Sequence, residues 1–278
     1  MINSITDTYK MNDGVEIPGF GLGVYRAQVG DETYNSVRMA LDIGYRHVDT
    51  AAIYGNEEDV GKAVKDSGIP REELFITTKL WPLDFADTEI ALNISLKKLG
   101  MDYVDLYLLH WPGINEALIF SAWEKISVLK SKGLIRSIGV SNFFPEKLKV
   151  LISETGIVPS NNQIQLHPWY QQLDTQEFCK ANDITITSWG PIFHGYLSEE
   201  PLMEELGEKY DRTPAQVTLR WHIQNEIIII PKSVRRERLE ENTKLFDFSI
   251  IPEDMECINA LNCGKCFGPD PFTFNGLI

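Results

Sequence analysis

Eight short apolar segments recur along the chain, and stretches with the pattern of amphipathic helices separate them. They are IPGFGLGVY (17–25), YRHVD (45–49), LFITTKL (74–80), VDLYLLH (104–110), IRSIGVSN (135–142), NQIQL (162–166), ITITSW (184–189) and IIIIPKS (227–233). Several are apolar almost throughout, which is typical of parallel strands that are covered on both faces. Eight such strands alternating with helices predict a (β/α)8 barrel, and we expect one domain over residues 1–278.

The segments between the strands carry helix signals. Leu92, Leu96 and Leu99 repeat at helical spacing before Gly100, and Thr213-Pro214 has the composition of a helix start. An open doubly wound sheet is the alternative fold, but the glycine-rich segment 19–23 lacks the GxGxxG spacing of a dinucleotide fingerprint. The leading segment YKMNDGVEI predicts a β-hairpin that covers the bottom of the barrel.

The charge balance argues against a polyanionic partner. The formal charge is −14 and the pI is near 4.8, whereas a protein that binds nucleic acid or an anionic membrane needs a large basic face. No apolar run reaches the ~18 residues of a membrane span, and residues 1–10 lack a signal-peptide core. Four cysteines are too few for a disulfide scaffold. We therefore expect a soluble, cytoplasmic protein, which we also expect to be monomeric.

Ionisable side chains stand at the ends of three successive predicted strands. Asp49, Lys79 and His110 are 30 and 31 residues apart, about one strand–helix unit each, and Tyr54 follows the first of them. Because catalytic residues of barrels lie at the carboxyl ends of the strands, these groups are expected to share one site. Polar caps where strands emerge into water are the alternative reading, and three ionisable types in register make it the weaker one.

These side chains suit proton delivery to a carbonyl oxygen. No serine or cysteine nucleophile accompanies His110 in a recognisable motif, and Asp49 precedes no HxH or HExxH metal pattern. A tyrosine with a pKa near ~10 is a poor acid at neutral pH, but an adjacent ammonium can lower that pKa by roughly 1–3 units. The sequence thus predicts Tyr54 as the acid, Lys79 as the group that lowers its pKa, Asp49 as the anchor of Lys79, and His110 as a donor to the substrate oxygen.

The chain resembles the aldo-keto reductase family over almost its whole length. The segments that carry the resemblance are DTAAIYGNEEDVG, ITTKLWP, LLHWPG, IGVSNF, NQIQLHP and IPKSVRRERLEEN. The resemblance implies an NADPH-dependent carbonyl reductase without metal or flavin, in which Asp49, Tyr54, Lys79 and His110 form the catalytic tetrad. Because the segment after His110 is short, the chain resembles the short-loop microbial branch of the family, which includes 2,5-diketo-D-gluconate reductases and protozoan prostaglandin F synthases. Leu22 departs from the aromatic residue expected in the diketogluconate enzymes.

A second group of residues is expected to bind the cofactor. Lys232, Arg235, Arg236 and Arg238 place four cations in seven residues directly after the last strand, where barrels often bind phosphate. A solvated basic turn is the alternative. The resemblance implies that Lys232, Ser233 and Arg238 hold the adenosine 2′-phosphate, with Glu241 and Asn242 near the adenine. It further implies cofactor contacts from Val24, Tyr25, Asp49, Ser141, Asn142, Gln163, Trp189, Gly190, Pro191, Ile192, Val234 and Arg235. Among these, Ser141, Asn142 and Gln163 would hold the carboxamide, and Trp189 would stack on the nicotinamide.

The substrate pocket is expected to be apolar. Tyr25, Trp81 and Trp111 lie next to strand ends and would line it together with Tyr54 and His110. Leu22, Ile53, Phe272 and Phe274 are further candidates for its wall. The short segment between His110 and the next helix predicts a pocket that is open on that side. These features favour reduction of aldehydes and small ketones, and the alternative is a regulatory barrel that binds the cofactor with little turnover.

Overall fold

A sheet of eight parallel strands forms the centre of the molecule. The computed structural model describes residues 1–271 and 273–277. Its strands, two of the N-terminal hairpin followed by eight of the central sheet, are β1 (Thr8–Lys10), β2 (Glu16–Pro18), β3 (Leu22–Gly23), β4 (His47–Asp49), β5 (Phe75–Leu80), β6 (Val104–Leu109), β7 (Ile135–Ser141), β8 (Asn161–Gln165), β9 (Thr185–Trp189) and β10 (Ile228–Ile229). From β3 to β10, each strand of this sheet pairs with the next in chain order.

Among the residues described, a single bridge joins the two ends of this sheet. Phe20 pairs in parallel with Ile229, through bonds from Gly21 N to Ile229 O (2.9 Å) and from Ile229 N to Gly19 O (3.1 Å). The sheet therefore closes into the predicted barrel, and the open doubly wound alternative is excluded.

Helices cover the outside of the barrel. They are α1 (Asp31–Ile43), α2 (Glu57–Ser67), α3 (Thr88–Leu99), α4 (Glu116–Ser131), α5 (Pro145–Thr155), α6 (Leu173–Ala181), α7 (Pro201–Tyr210), α8 (Pro214–Gln224), α9 (Arg236–Asn242) and α10 (Pro252–Asn259). The leucines at 92, 96 and 99 are buried, as their helical spacing predicts. At the start of α8, the Thr213 side chain accepts from Gln216 N while the Gln216 side chain accepts from Thr213 N, a reciprocal cap. Among the described residues, no helix combines the length and apolar character needed to cross a bilayer.

Two of the predicted strands are shorter than the sequence suggests. The run 17–25 is divided, because Glu16–Pro18 belongs to the hairpin and Leu22–Gly23 alone belongs to the barrel. The run 227–233 pairs only over Ile228–Ile229. Apolar composition does not reveal where a ladder of backbone hydrogen bonds begins and ends, and both predicted boundaries were wrong for that reason.

The N-terminal hairpin covers the end of the barrel at which the strands begin. Its strands pair antiparallel with Tyr9 opposite Ile17. Met11 and Ile17 are buried in one apolar cluster with Phe75, Leu106, Leu108 and Ile228 of the barrel strands. The opposite end, where the strands terminate, stays available for a site.

The helix that follows Tyr54 packs unusually close to its neighbour. A Cβ atom at Gly61 of α2 would lie 2.0 Å from the backbone oxygen of Leu99 at the end of α3. Only glycine allows this approach of the two backbones. The close packing fixes α2 against α3 and thereby fixes the segment that leads into α2.

Candidate active site

Four side chains predicted as a site converge at the carboxyl ends of neighbouring strands. Asp49 is the last residue of β4, Lys79 lies one residue before the end of β5, and His110 directly follows β6. Tyr54 closes a short 3-10 turn, Ala52–Tyr54, between β4 and α2. The pairing of β4 with β5 and of β5 with β6 places their ends side by side.

Asp49 and Lys79 form a buried ion pair with additional hydrogen bonds. Lys79 Nζ lies 2.6 Å from Asp49 Oδ1 and donates to the backbone oxygen of Thr50 at 2.8 Å. From across the barrel, Gln163 Nε2 donates to Asp49 Oδ2 at 2.7 Å. Both carboxylate oxygens are thus bonded, which a buried charge requires. Gln163, expected at the nicotinamide carboxamide, is also part of this ion-pair network.

His110 is held beside this pair as a neutral ring. Burial lowers its pKa well below the usual value, and the charge of Lys79 lowers the pKa further. The Asn142 side-chain amide donates to the backbone oxygen of His110 at 3.0 Å and fixes that strand end. A neutral imidazole carries one N–H, so His110 can donate a single hydrogen bond but is not an acid at neutral pH.

Tyr54 reaches the imidazole with its hydroxyl. The Tyr54 oxygen is 3.5 Å from His110 Nε2, and Lys79 Nζ is 5.1 Å from the centre of the phenol ring. Burial raises the pKa of Tyr54 well above its usual value, and the charge of Asp49 raises the pKa further. The sequence predicted that Lys79 lowers the pKa of Tyr54, but the pKa is raised in this structure, because burial of the phenol is the largest influence on it. The phenol is therefore protonated at neutral pH.

Polar residues at the ends of β7, β8 and β9 form a second, connected set. Ser141 Oγ donates to the backbone oxygen of Gln163 at 2.8 Å, and Trp189 Nε1 donates to Asn142 Oδ1 at 2.8 Å. Asn142 has a left-handed backbone with φ of 64°, which turns its amide toward the strand ends. The structure thus brings together the residues expected around a nicotinamide.

The basic segment after β10 is exposed, and part of it is already paired. Lys232, Arg235, Arg236 and Arg238 are all exposed. Arg238 Nη1 contacts both carboxylate oxygens of Glu241 at 3.0 and 2.8 Å, and Glu241 also accepts from Thr213 Oγ1 at 2.7 Å.

Ser233 and Asn242 lie on the inner side of this segment. Both are buried, and Ser233 accepts the backbone N–H of Arg235 at its Oγ. Exposed cations beside a buried hydroxyl are a donor set that fits a phosphate group. The predicted anion site is thus chemically consistent with the structure.

A cavity of about 200 Å³ adjoins these residues. Its wall includes Trp111, Asn142, Phe144, Trp189 and Phe267. A larger cavity of about 420 Å³ lies beside the N-terminal hairpin and is lined by residues such as Asn12, Asp13 and Lys130. Of these two cavities, the smaller one borders Asn142 and Trp189 at the carboxyl ends of the strands, and it is therefore the better candidate for a ligand site.

The C-terminal segment supplies one wall residue, Phe267, that the sequence did not indicate. The Phe267 ring lies 5.4 Å from that of Trp189, and a Cβ at Gly190, where φ is +63°, would come within 2.9 Å of Phe267 Cζ. Gly190 therefore lies directly against this segment. Phe267 lies in a polar stretch without a repeating pattern, so no sequence signal marked it.

The predicted aromatic wall is present in part. Tyr25 lies 5.0 Å from Tyr54, and Trp81 lies 5.1 Å from His110, between ring centres. Phe274 packs on Trp81 and on Trp111 at 5.6 and 5.0 Å, so the tail covers both indoles.

Two further candidates for the pocket wall are placed elsewhere. Leu22 is wholly buried in the main core, and Ile53 is exposed. The candidate Phe272 lies outside the described residues.

Two of the expected cofactor contacts lie at the core. Val24 is buried and donates its backbone N–H to Asp49 O, whereas Val234 packs at the edge of the core.

Comparison with known sequences identifies close relatives. The model of the Aldo/keto reductase family matches residues 19–262. A methylglyoxal reductase DkgA of Yersinia pestis is 47% identical, covering 95% of this chain and 96% of that protein. A glyoxal reductase of Bacillus subtilis is 43% identical, covering 98% of each chain. A 9,11-endoperoxide prostaglandin H2 reductase of Trypanosoma cruzi is 43% identical, covering 95% and 94%.

Solved structures agree with this relationship. An aldo/keto reductase from Brucella melitensis superposes with a TM-score of 0.89 at 46% identity, over 92% of this chain and 99% of that one. A Bombyx mori aldo-keto reductase in complex with NADP gives 0.87 at 33% identity, over 96% and 95%. A variant of the protein Gox0644 in complex with NADPH gives 0.90 at 40% identity, over 95% and 97%.

Proposed function

Because the chain belongs to the aldo/keto reductase family and is an oxidoreductase, we propose that it reduces small aldehydes and α-dicarbonyl compounds with NADPH. The observation that carries the proposal is the convergence of a protonated phenol and a neutral imidazole beside a buried Lys79–Asp49 pair. Such a set can donate two hydrogen bonds toward one carbonyl oxygen.

The proton in this reaction comes from Tyr54. NADPH supplies the hydride when it is bound, since no side chain can do so. His110 donates a hydrogen bond that orients the carbonyl oxygen toward the Tyr54 hydroxyl, and its lowered pKa keeps the ring neutral in that role. Lys79 lies beside the phenol as a positive charge that stabilises the phenolate left after proton transfer.

The cofactor is proposed to lie along the ends of β7 to β10. Ser141, Asn142 and Gln163 would hold the carboxamide, and Trp189 would stack on the nicotinamide ring. Gly190 to Ile192, together with Val24, Tyr25 and Val234, would follow the rest of the dinucleotide. Lys232, Ser233, Arg235 and Arg238 would bind the adenosine phosphate, with Glu241 and Asn242 at the adenine. The neighbours solved with NADP and NADPH support this choice of cofactor.

The substrate is proposed to be small and rich in carbonyl groups. Two relatives that align over nearly their full length bear the names methylglyoxal reductase and glyoxal reductase. These names favour α-dicarbonyl compounds as substrates.

The test is the consumption of NADPH in the presence of methylglyoxal, glyoxal, an aromatic aldehyde and an open-chain aldose. The proposal expects turnover of the first three, with NADH as the comparison cofactor. Binding of NADPH, followed by its fluorescence, is measured in parallel. Tight binding without turnover of any carbonyl compound would favour the regulatory barrel and would refute the proposed reaction.

A further inference from the structure

Glu57 is a buried carboxylate for which the proposed reaction has no role. It is the first residue of α2, and it is wholly buried. Acidic residues in the first turn of a helix commonly stabilise the helix dipole from the surface. Glu58 and Asp59 already occupy that turn and are not buried, so the dipole does not explain why Glu57 turns inward.

The inward carboxylate accepts a hydrogen bond from the residue next to Lys79. Thr78 Oγ1 donates to Glu57 Oε1 at 2.7 Å, and Thr78 is itself wholly buried on β5. Successive side chains of a strand point to opposite faces, so Lys79 faces the barrel interior while Thr78 faces the surrounding helices. Glu57 therefore binds β5 on its helix-facing side, at Thr78, the residue that precedes Lys79.

A second set of bonds leads from Lys79 back to the same helix. Lys79 Nζ donates to Thr50 O, and Thr50 Oγ1 donates to Asn56 Oδ1 at 2.8 Å. Asn56 is bonded covalently to Glu57. The path Lys79, Thr50, Asn56, Glu57, Thr78 and back to Lys79 is a closed loop, which we call the hydrogen-bonded ring.

The hydrogen-bonded ring holds both ends of the segment that carries Tyr54. All five of its members are wholly buried. Tyr54 lies in the chain between Thr50 and Asn56, so both ends of its segment are fixed by ring members. Asn56 Nδ2 also donates to Val24 O at 3.1 Å, which ties the ring to the loop after β3.

We propose that Glu57 and Thr78 are positioning residues, whose hydrogen bond closes the ring and sets Tyr54 relative to Lys79. This inference rests on the proposed function, in which Tyr54 delivers the proton. The charge of Glu57 also helps to keep Lys79 protonated, because it raises the pKa of Lys79 and so opposes the lowering by burial. Reaction rates are sensitive to such placement, since a shift of about 1 Å can cost roughly 10²-fold in rate.

The test compares variants of Thr78 that remove or keep its hydroxyl. Thr78→Val keeps the shape of the side chain and breaks the bond to Glu57, whereas Thr78→Ser keeps the hydroxyl. Thr77→Val is the matched control, because Thr77 is an equally buried hydroxyl on the same strand but lies outside the ring and pairs with His47. Glu57→Gln and the exposed Glu58→Gln form a second pair, which separates the buried charge from a surface charge.

The expected result is a loss in kcat and not in binding. Thr78→Val should lower kcat for methylglyoxal about tenfold, with KM and the NADPH Kd within about twofold of the unmodified protein. Thr78→Ser should restore most of the activity, and Thr77→Val should retain it. Glu57→Gln should lower kcat while Glu58→Gln does not. Unchanged kcat in Thr78→Val, or an equal loss in Thr77→Val, would overturn the inference.

Crystal structures of the Thr78 and Thr77 variants provide a readout that needs no activity. Thr78→Val should displace the Tyr54 hydroxyl from its position near His110 by about 0.5 Å or more, the tolerance of a catalytic geometry. Thr77→Val should leave it in place. An unmoved Tyr54 in Thr78→Val would refute the ring as a positioning device. Inactivity of the unmodified protein toward every carbonyl compound would instead refute the proposed function.

Discussion

Lys79 Nζ lies 2.6 Å from Asp49 Oδ1, and the two side chains are 0% and 3% exposed. Removing one partner of a buried ion pair leaves an uncompensated charge, which typically costs about 3–5 kcal/mol. We therefore expect Asp49→Asn to lower the free energy of unfolding by about that amount. The double variant Asp49→Asn/Lys79→Met should lose less than the sum of the two single variants. Urea denaturation of all four proteins measures this coupling, and additive losses would contradict it.

Tyr54→Phe tests the proton donor. The substitution removes the hydroxyl and keeps the ring that packs beside Tyr25. We expect kcat to fall at least ~10²-fold, as for the loss of a general acid, while the NADPH Kd stays unchanged. Lys79→Met should act in the same direction. Steady-state kinetics and fluorescence titration give the two quantities, and turnover at the unmodified rate in Tyr54→Phe would remove this residue from its proposed role.

Arg238→Ala tests the preference for the phosphorylated cofactor. Charge-assisted hydrogen bonds contribute roughly 1.5–3 kcal/mol, so loss of one should weaken NADPH binding about tenfold or more. NADH binding should hardly change. Arg236→Ala is the control, since Arg236 is an exposed cation of the same helix that pairs with Glu240. Equal Kd values for NADPH and NADH in the unmodified protein would contradict the assignment.

Trp111→Ala tests the substrate wall. The indole is 8% exposed and packs on Phe274, and it borders the cavity beside Trp189. We expect KM to rise more for an aromatic aldehyde than for methylglyoxal, because the smaller substrate gains less contact area from the indole. Steady-state kinetics on both substrates measure the ratio. A rise by the same factor for both would mean that Trp111 maintains the shape of the site.

The buried imidazole of His47 is expected to make the protein less stable in acid. Burial lowers the pKa of His47 to about 4, whereas an unfolded histidine titrates near 6.5. Below pH 6.5 the unfolded chain takes up a proton at His47 that the folded protein does not. The contribution of His47 to the free energy of unfolding is therefore fully present above pH ~6.5, and it is lost as the pH falls to about 4. The loss from this residue is on the order of 3 kcal/mol.

The matching measurement is urea denaturation at pH 7 and pH 5. His47→Gln should show a smaller difference in unfolding free energy between the two conditions than the unmodified protein does. His194→Gln, at an exposed histidine, is the control and should change this difference less. An undiminished pH dependence in His47→Gln would show that other groups cause the acid sensitivity.

The barrel and the position of its chemistry could be predicted because both follow from short-range patterns. Apolar runs mark strands, and parallel strands that alternate with helices bring their carboxyl ends to one face. The regular spacing of Asp49, Lys79 and His110 was therefore sufficient to place them together, and the structure does bring them together with Tyr54.

Other features depend on contacts that no local pattern specifies. The pKa of Tyr54 is raised mainly by burial, which depends on the packed structure and which the spacing of Tyr54 and Lys79 in the sequence does not give. Phe267 reaches the site from a tail without periodic structure and was missed, whereas Phe274 of the same tail was a predicted candidate. The bond from Thr78 to Glu57 joins residues 21 positions apart, and the acid-rich start of a helix gave no sign that one acid points inward.

The single bridge between Phe20 and Ile229 makes the closure of the barrel uneven. Within the described chain, neighbouring strands of the sheet are joined over two or more residue pairs, whereas β10 meets the segment just before β3 through this one bridge. Local opening at this junction breaks few backbone hydrogen bonds, so it is expected to need less free energy than separating other neighbouring strands. The cations proposed to bind the cofactor begin three residues after Ile229, and Val24 and Tyr25 follow β3. A dinucleotide bound to both segments would therefore link the two sides of the junction that has the fewest backbone hydrogen bonds. Release of the cofactor would then depend on local opening of the barrel at this junction.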